Sequence, residues 1–211
     1  MLDEVELKAD DVNVETGLEY RSMEELVQDA KALGCDAVLN CTGMGAASLC
    51  KDKHLIGARG ILHHYDRKTC VVRQELTDGP HGPMLHDAVI LTEDPPWASD
   101  GYPAYLIPRR DILVVGGSYL EGDTETKIRP MEHQRLVYNA DRLGIDTEQS
   151  KPIGEWTGFR PYRRLSRCEV DSQYGKEENI KVVHSYGYGG SGWTVYVGAA
   201  MEATRLLLAS G

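Results

Sequence analysis

Residues 187–192 read GYGGSG and fit the spacing G-x-G-x-x-G at Gly187, Gly189 and Gly192. Glycines let a backbone approach a flat ligand closely. A helix that follows points its unpaired N–H groups and positive end at whatever lies there. A ligand gaining negative charge during reaction would be stabilised at that position. The same letters also mark dinucleotide-binding βαβ units, which need a strand before, a helix after and an acidic residue about 20 positions on. A strand, NIKVVHSY, and a helix, TVYVGAAMEATRLLL, are expected on either side, but the sequence reaches Gly211 with no second strand and no acidic residue placed to serve a ribose. The dinucleotide reading fails. A ligand-facing loop and a plain tight turn remain.

Other chemistry-bearing side chains form no set by spacing. His63 and His64 are adjacent on an expected strand and face opposite sides, His81 and His86 fall in a loop, and His184 is expected to pack in the last strand. Metal ligation by these positions is possible but weakly supported, and no catalytic triad can be argued from spacing. The five cysteines, Cys35, Cys41, Cys50, Cys70 and Cys168, make no C-x-x-C pair, and their odd number suits free thiols in a reducing compartment.

The elements that must position these residues are legible in part. SMEELVQDAKALG is a helix with a Ser22–Glu25 capping box, an apolar stripe from Met23 to Leu33 and a stop at Gly34. The strand DAVLNC and a small-residue turn, TGMGAAS, follow at once, an α-to-β step typical of an open α/β sheet. Between about 57 and 117 the pattern changes to strands: GARGILHHY, KTCVVRQEL, DAVILTE, YPAYLIP and DILVVGG, with Gly/Pro/Asp-rich loops between. Pro130 opens a helix over about 130–143. Early alternation at Val5, Leu7, Val12 and Val14 reads as strand. The fold class is mixed α/β: a partial α/β sheet (1–54), a mostly antiparallel sheet region (55–177), and a terminal strand, loop and helix returning to the first part (178–211).

A formal net charge of −10 argues against a nucleic-acid backbone as ligand, and no apolar run reaches the length of a membrane span. The acidic, alternating start is neither signal nor transit peptide, so a soluble intracellular protein is expected. The sequence ends ASG, without a peroxisomal Ser-Lys-Leu type address.

WTGFRPYRR at 156–164, followed by VVHSYGYGGSGWTVYVGAAMEATRLL at 182–207, resembles the C-terminal half of the D-amino-acid oxidase and D-aspartate oxidase family. DAVLNCTGMGAASL with GARG, and YLIPRRDILVVGGSYLEGD, are similar to further family segments in the same order. The resemblance runs from about Val12 to Leu208. It implies FAD as cofactor, oxygen as electron acceptor and a D-amino acid as substrate, oxidised to an imino acid that hydrolyses to a 2-oxo acid and ammonia. Arg160 matches the arginine that grips the substrate carboxylate, a task suited to a planar fork, and it also borders the flavin. Tyr105 matches a tyrosine touching the same carboxylate, and Tyr102 a lid tyrosine. Gly189, Gly190, Gly192, Trp193 and Thr194 match the flavin-facing segment, the Gly190 carbonyl accepting from the substrate amine. Thr42 matches a flavin-contacting threonine. The resemblance assigns no acid–base residue.

The sequence departs from the family in four places. Ile61 stands where the family usually reads Gln, and Tyr188 replaces His or Phe. Gly190 replaces the serine of dicarboxylate-specific members, and PPWASDG lacks their extra arginine. The last two favour neutral D-amino acids. The family's N-terminal G-x-G-x-x-G unit, which holds the FAD diphosphate, is not among these 211 residues. The alternative to an oxidase is therefore a catalytically incompetent scaffold or subunit that needs a partner chain or a second copy.

Overall fold

The computed structural model describes residues 15–73, 87–91 and 101–209. The expected strand around Val5–Val14 lies outside them, as do most of the two Gly/Pro-rich loops and all of PPWASDG except Gly101.

Helix α1 (Met23–Ala32) begins where the sequence demands. The Ser22 hydroxyl accepts the Glu25 N–H at 3.3 Å. Glu25 does not close the expected box on Ser22. Its carboxylate accepts the N–H of Arg21 at 2.7 Å. Met23, Val27 and Ala30 form the buried stripe, and Gly34 ends the helix with a left-handed φ of +74°.

Strand β1 (Ala37–Asn40) follows, then a 3₁₀ turn over Gly43–Gly45 and the single-turn helix α2 (Ala46–Leu49). The remaining elements are β2 (Ile56–Asp66), β3 (Val89–Ile90), β4 (Tyr105–Pro108), β5 (Ile112–Gly116), β6 (Leu120–Glu121), α3 (Pro130–Arg142), β7 (Gly154–Val170), β8 (Lys181–Tyr188) and α4 (Gly192–Leu208). Among the described residues the strands make one sheet of order β1-β8-β7-β2-β5-β4-β3, with β6 added to β2. Only β1–β8 is parallel; every other pairing is antiparallel. The protein is thus a mixed α/β fold built on a mainly antiparallel sheet. Because β8 pairs with both β1 and β7, hydrogen bonding runs continuously from the first segment of the chain into the antiparallel region.

Two expectations about strands need correction. KTCVVRQEL does not form a strand in its described part: residues 67–69 turn, and Val72 makes a lone bridge to Ile145. Residues 154–170, left unassigned by periodicity, form the 17-residue strand β7 at the middle of the sheet. Pro161 sits inside it opposite Gly57, and the β8 side of the pairing shifts register between Tyr162 and Arg167. A bulge is where a sheet accommodates the N–H that proline lacks.

Two apolar centres flank the sheet. Tyr65, Leu106, Leu113, Val115, Ala140, Leu143 and Ile145 close over β2, β4 and β5 from the α3 side. Met23, Val27 and Leu49 pack against Ile180 and Val182 at the β1–β8 edge. Each fully buried leucine here stabilises the fold by about 1.5–3 kcal/mol. Between the sheet and α3 lies a buried ion pair. Arg59 donates to both Glu132 oxygens (2.6 and 3.0 Å), and to the carbonyls of Glu125 (2.6 Å) and Lys127 (2.5 Å).

Candidate active site

The parallel strands β1 and β8 run in the same direction, and the turns after their C-terminal ends carry Thr42 and the glycine loop. Ligands of open α/β sheets bind outside the carboxyl ends of such strands. GYGGSG spans the end of β8, a 3₁₀ turn over Gly189–Ser191 and the first residue of α4. Gly187 (φ +88°) and Gly189 (φ +57°) adopt left-handed conformations that other residues resist. Ser191 caps α4 with no side-chain hydrogen bond, so the N–H groups of the first turn carry no side-chain acceptor.

A cleft of about 500 Å³ opens here, between Gly43 and Pro161 on one side and Tyr188, Gly189, Gly192 and Trp193 on the other. A Cβ at Gly192 would meet nothing within 4 Å, so packing does not explain that glycine. A cleft of this size and lining has room for a flat aromatic ring system. Trp193 is 85% exposed at its rim, edge-on to Tyr196, and Thr194 is exposed on the same helical turn.

Thr42 is held by a buried relay. Its N–H and its hydroxyl both donate to the Asn40 side-chain oxygen, at 3.1 and 2.7 Å. Asn40 Nδ2 lies 3.0 Å from His184 Nδ1, and His184 Nε2 lies 3.0 Å from Asp171. Since Asn40 Oδ1 accepts from Thr42, its Nδ2 must donate, which makes Nδ1 of His184 the acceptor and Nε2–H the donor to Asp171. Burial, together with the nearby Arg167, outweighs the pull of Asp171 and holds His184 below the ordinary histidine range. His184 is thus the packed core residue expected, with an orienting role that spacing could not reveal.

Arg160 projects from β7. Nη1 donates to the Ser118 carbonyl at 3.0 Å, and the guanidinium carbon lies 5.5 Å from the centre of the Tyr119 ring. Gly190 faces it, a Cβ there falling 3.7 Å from Arg160 Cδ and 3.4 Å from Tyr119 Cε2. The Tyr105 ring fills the space above Gly116 and Gly117. Burial raises its phenol above the usual range, and the adjacent Arg160 guanidinium opposes that rise. The structure therefore brings Arg160, Tyr105 and Gly190 together, a guanidinium, a phenol and a backbone segment beside the cleft.

Tyr102 is placed apart from this group. Its hydroxyl donates to Glu132 at 3.1 Å, and Arg135 covers its ring at 4.3 Å. It lines, with Tyr119, Arg129 and Met131, a separate shallow depression on the α3 side. Tyr119 is the residue that sequence reasoning missed. Burial raises its phenol, and the Gly190 backbone hydrogen-bonds to its oxygen. Its ring stacks edge-on with Tyr162 at 6.1 Å. The Gly116-Gly117 pair just before it was a turn signal, but nothing in the sequence tied Tyr119 to a loop some seventy residues away.

Among the described residues no helix is long and apolar enough to cross a membrane. Residues 7–206 match the family model described as FAD dependent oxidoreductase (DAO). The chain is 28% identical over 183 residues to a D-amino-acid oxidase of Streptomyces coelicolor, covering 87% of this chain and 50% of that protein. It is 25% identical over 193 residues to D-aspartate oxidase 1 of Caenorhabditis elegans, covering 89% of this chain and 48% of that protein. It spans about half the length of the curated relatives it matches. The fold is similar to that of glycine oxidase from Geobacillus kaustophilus, with a TM-score of 0.56 at 15% identity over 82% of this chain and 41% of that one. Iminodiacetate oxidase from Chelativorans sp. BNC1 gives a TM-score of 0.57 at 16% identity, covering 82% and 42%. The family indicates FAD as the cofactor, in keeping with a cleft whose open glycine suits a flat ring. The chain belongs to the FAD-dependent oxidoreductase (DAO) family.

Proposed function

We propose that these residues form the substrate-gripping and flavin-facing part of an oxidase. The reaction converts neutral D-amino acids to 2-oxo acids, ammonia and hydrogen peroxide. The observation that supports it most is the grouping of Arg160, Tyr105 and Gly190 beside the glycine cleft. Arg160 binds the substrate carboxylate through its planar fork, and the Tyr105 hydroxyl donates to the same group. The Gly190 carbonyl accepts from the amine, so two anchored ends orient the α-carbon toward the cleft. FAD, when bound, supplies the hydride acceptor and passes the electrons to oxygen. Gly189, Gly190, Gly192, Trp193, Thr194 and Thr42 would hold its ring, the α4 N-terminus favouring negative charge there.

The neutral preference rests on Gly190, which offers no hydroxyl, and on the neighbouring cations being engaged elsewhere. Arg163 bonds Asp52 at 2.9 Å and the Leu165 carbonyl at 2.6 Å. The test is the visible spectrum of the purified chain at saturating FAD, followed by D-alanine, D-proline or D-aspartate without oxygen. Bleaching by the neutral substrates, with a carboxylate requirement that rises at least about tenfold in Arg160→Lys, supports the reading. Unchanged substrate affinity in that variant would refute the role of Arg160.

A second reading is favoured by α4, whose Trp193, Tyr196, Val197 and Met201 are each more than half exposed. Here the same residues bind flavin only after another polypeptide or a second copy covers that face. Flavin binding by the monomer, established by light scattering, would sink it.

A further inference from the structure

The odd-numbered residues of β2 face α3. Arg59 meets Glu132, Ile61 meets Leu136 and His63 meets His133, whose ring centroid is 4.6 Å away. Directly across the strand pair, Glu155 of β7 is the register partner of His63. Glu155 Oε1 lies 2.9 Å from His133 Nδ1 and 3.5 Å from His63 Nε2. One ligand atom from each residue falls within 4.8 Å of the others. His63 is fully buried, and neither of its ring nitrogens has a hydrogen-bond partner. A bound ion or water is what ordinarily accounts for a buried imidazole without a close hydrogen-bond partner.

We propose that His63, His133 and Glu155 bind a divalent metal ion of the zinc class. Two imidazoles and one carboxylate are a donor set that borderline ions prefer. Tetrahedral ligation at about 2.0–2.2 Å sets neighbouring donors roughly 3.3–3.6 Å apart. The 3.5 Å from Glu155 Oε1 to His63 Nε2 fits that spacing, and the 2.9 Å hydrogen-bond distance to His133 Nδ1 has to open by about half an ångström. In its neutral form His63 offers one ring nitrogen with a free lone pair, the form a metal ion requires. His133 and Glu155 are each a little under half exposed, which leaves a path from solvent and a fourth position for water. None of the three lines the glycine cleft or touches Arg160. The ion would staple β2, β7 and α3 together, far from any role in gripping substrate.

The full chain, stripped with chelator and free of FAD, is titrated with zinc sulfate by calorimetry at neutral pH and scanned for thermal stability. The expected result is one equivalent bound, a raised Tm, and an affinity that falls at least about tenfold in both His133→Ala and Glu155→Gln. Glu155→Gln is isosteric and half exposed, so it reports on the site even where the histidine variant folds poorly. Cobalt chloride is the second probe. A visible absorption without a thiolate charge-transfer band supports imidazole and carboxylate ligands. A thiolate band, no zinc uptake by the parent, or unchanged uptake in both variants would each overturn the proposal. Because FAD is absent throughout, the outcome is independent of the oxidase reading.

Discussion

The Arg160 guanidinium occupies the space that a side chain at Gly60 would need. A Cβ at Gly60 would stand 2.5 Å from Nη1 and 2.9 Å from the guanidinium carbon. The glycine of β2 thus sets where the carboxylate fork lies. Gly60→Ala pushes against the far end of a flexible side chain, which can swing away at little cost to the fold. The expected outcome is a near-unchanged Tm with substrate binding weakened about 10- to 100-fold, the loss of one or two charge-assisted hydrogen bonds. Anaerobic titration with D-alanine measures it, and an unchanged dissociation constant would show that Arg160 is not positioned by Gly60.

Glycines of one loop should separate by role. At Gly189 a Cβ would approach the Tyr119 hydroxyl at 2.8 Å, in a left-handed conformation (φ +57°), so Gly189→Ala should destabilise by about 1–2 kcal/mol. Gly192 is helical and meets nothing, so Gly192→Ala should leave Tm equal or slightly higher while weakening FAD binding. Thermal melts beside flavin titrations distinguish the two. Equal FAD affinity in Gly192→Ala would mean that no ring approaches that position.

The Arg59–Glu132 pair has both side chains fully excluded from solvent. Glu132→Ala leaves the buried guanidinium with Asp123, 3.6 Å away, as its remaining carboxylate and should cost about 3 kcal/mol, lowering Tm by roughly 6–12 °C. The double variant Arg59→Met/Glu132→Leu should regain most of that loss, because desolvation then no longer opposes the interior. A double variant as unstable as Glu132→Ala would argue that the carbonyl contacts of Arg59 matter more than its charge pair.

Acid stability should depend on Asp123. Its hydrogen bonds to Arg129, with support from Arg59, hold its carboxyl down to about 2. A depressed folded pKa contributes stability above the unfolded value, near 3.9, that is lost as pH falls toward 2. Denaturant midpoints should therefore drop over that window, and Asp123→Asn should be less stable at pH 6 with a shallower acid slope. A parallel acid profile in the variant would refute the assignment.

Much of this architecture could be read from the chain because local signals coincided. Ser22 and Gly34 bound α1, Pro130 opens α3, and the apolar periods around 181–208 define β8 and α4. Strand β7 escaped because a central strand is expected to be apolar, whereas RPYRR carries charges that are held by Asp52, the Leu165 carbonyl and the Ser118 carbonyl. The site was legible only through resemblance: Arg160, Tyr105 and Gly190 come from three separate segments. Tyr119 and the Asn40–His184–Asp171 relay are relations in space, and so is the His63–His133–Glu155 group, which draws on three elements.

The parallel pairing of β1 with β8 joins Asn40 to His184, residues 144 apart in the chain. Met23, Val27 and Leu49 share their buried core with Ile180 and Val182. During synthesis, then, the α1–β1–α2 segment emerges long before the strand that completes its core. Closing so long a loop is slow compared with local structure formation. The half of the cleft carrying Thr42 is made early and stays adhesive until β8 arrives, so the α1–β1–α2 segment is where a nascent chain is exposed to aggregation and where a chaperone would serve it.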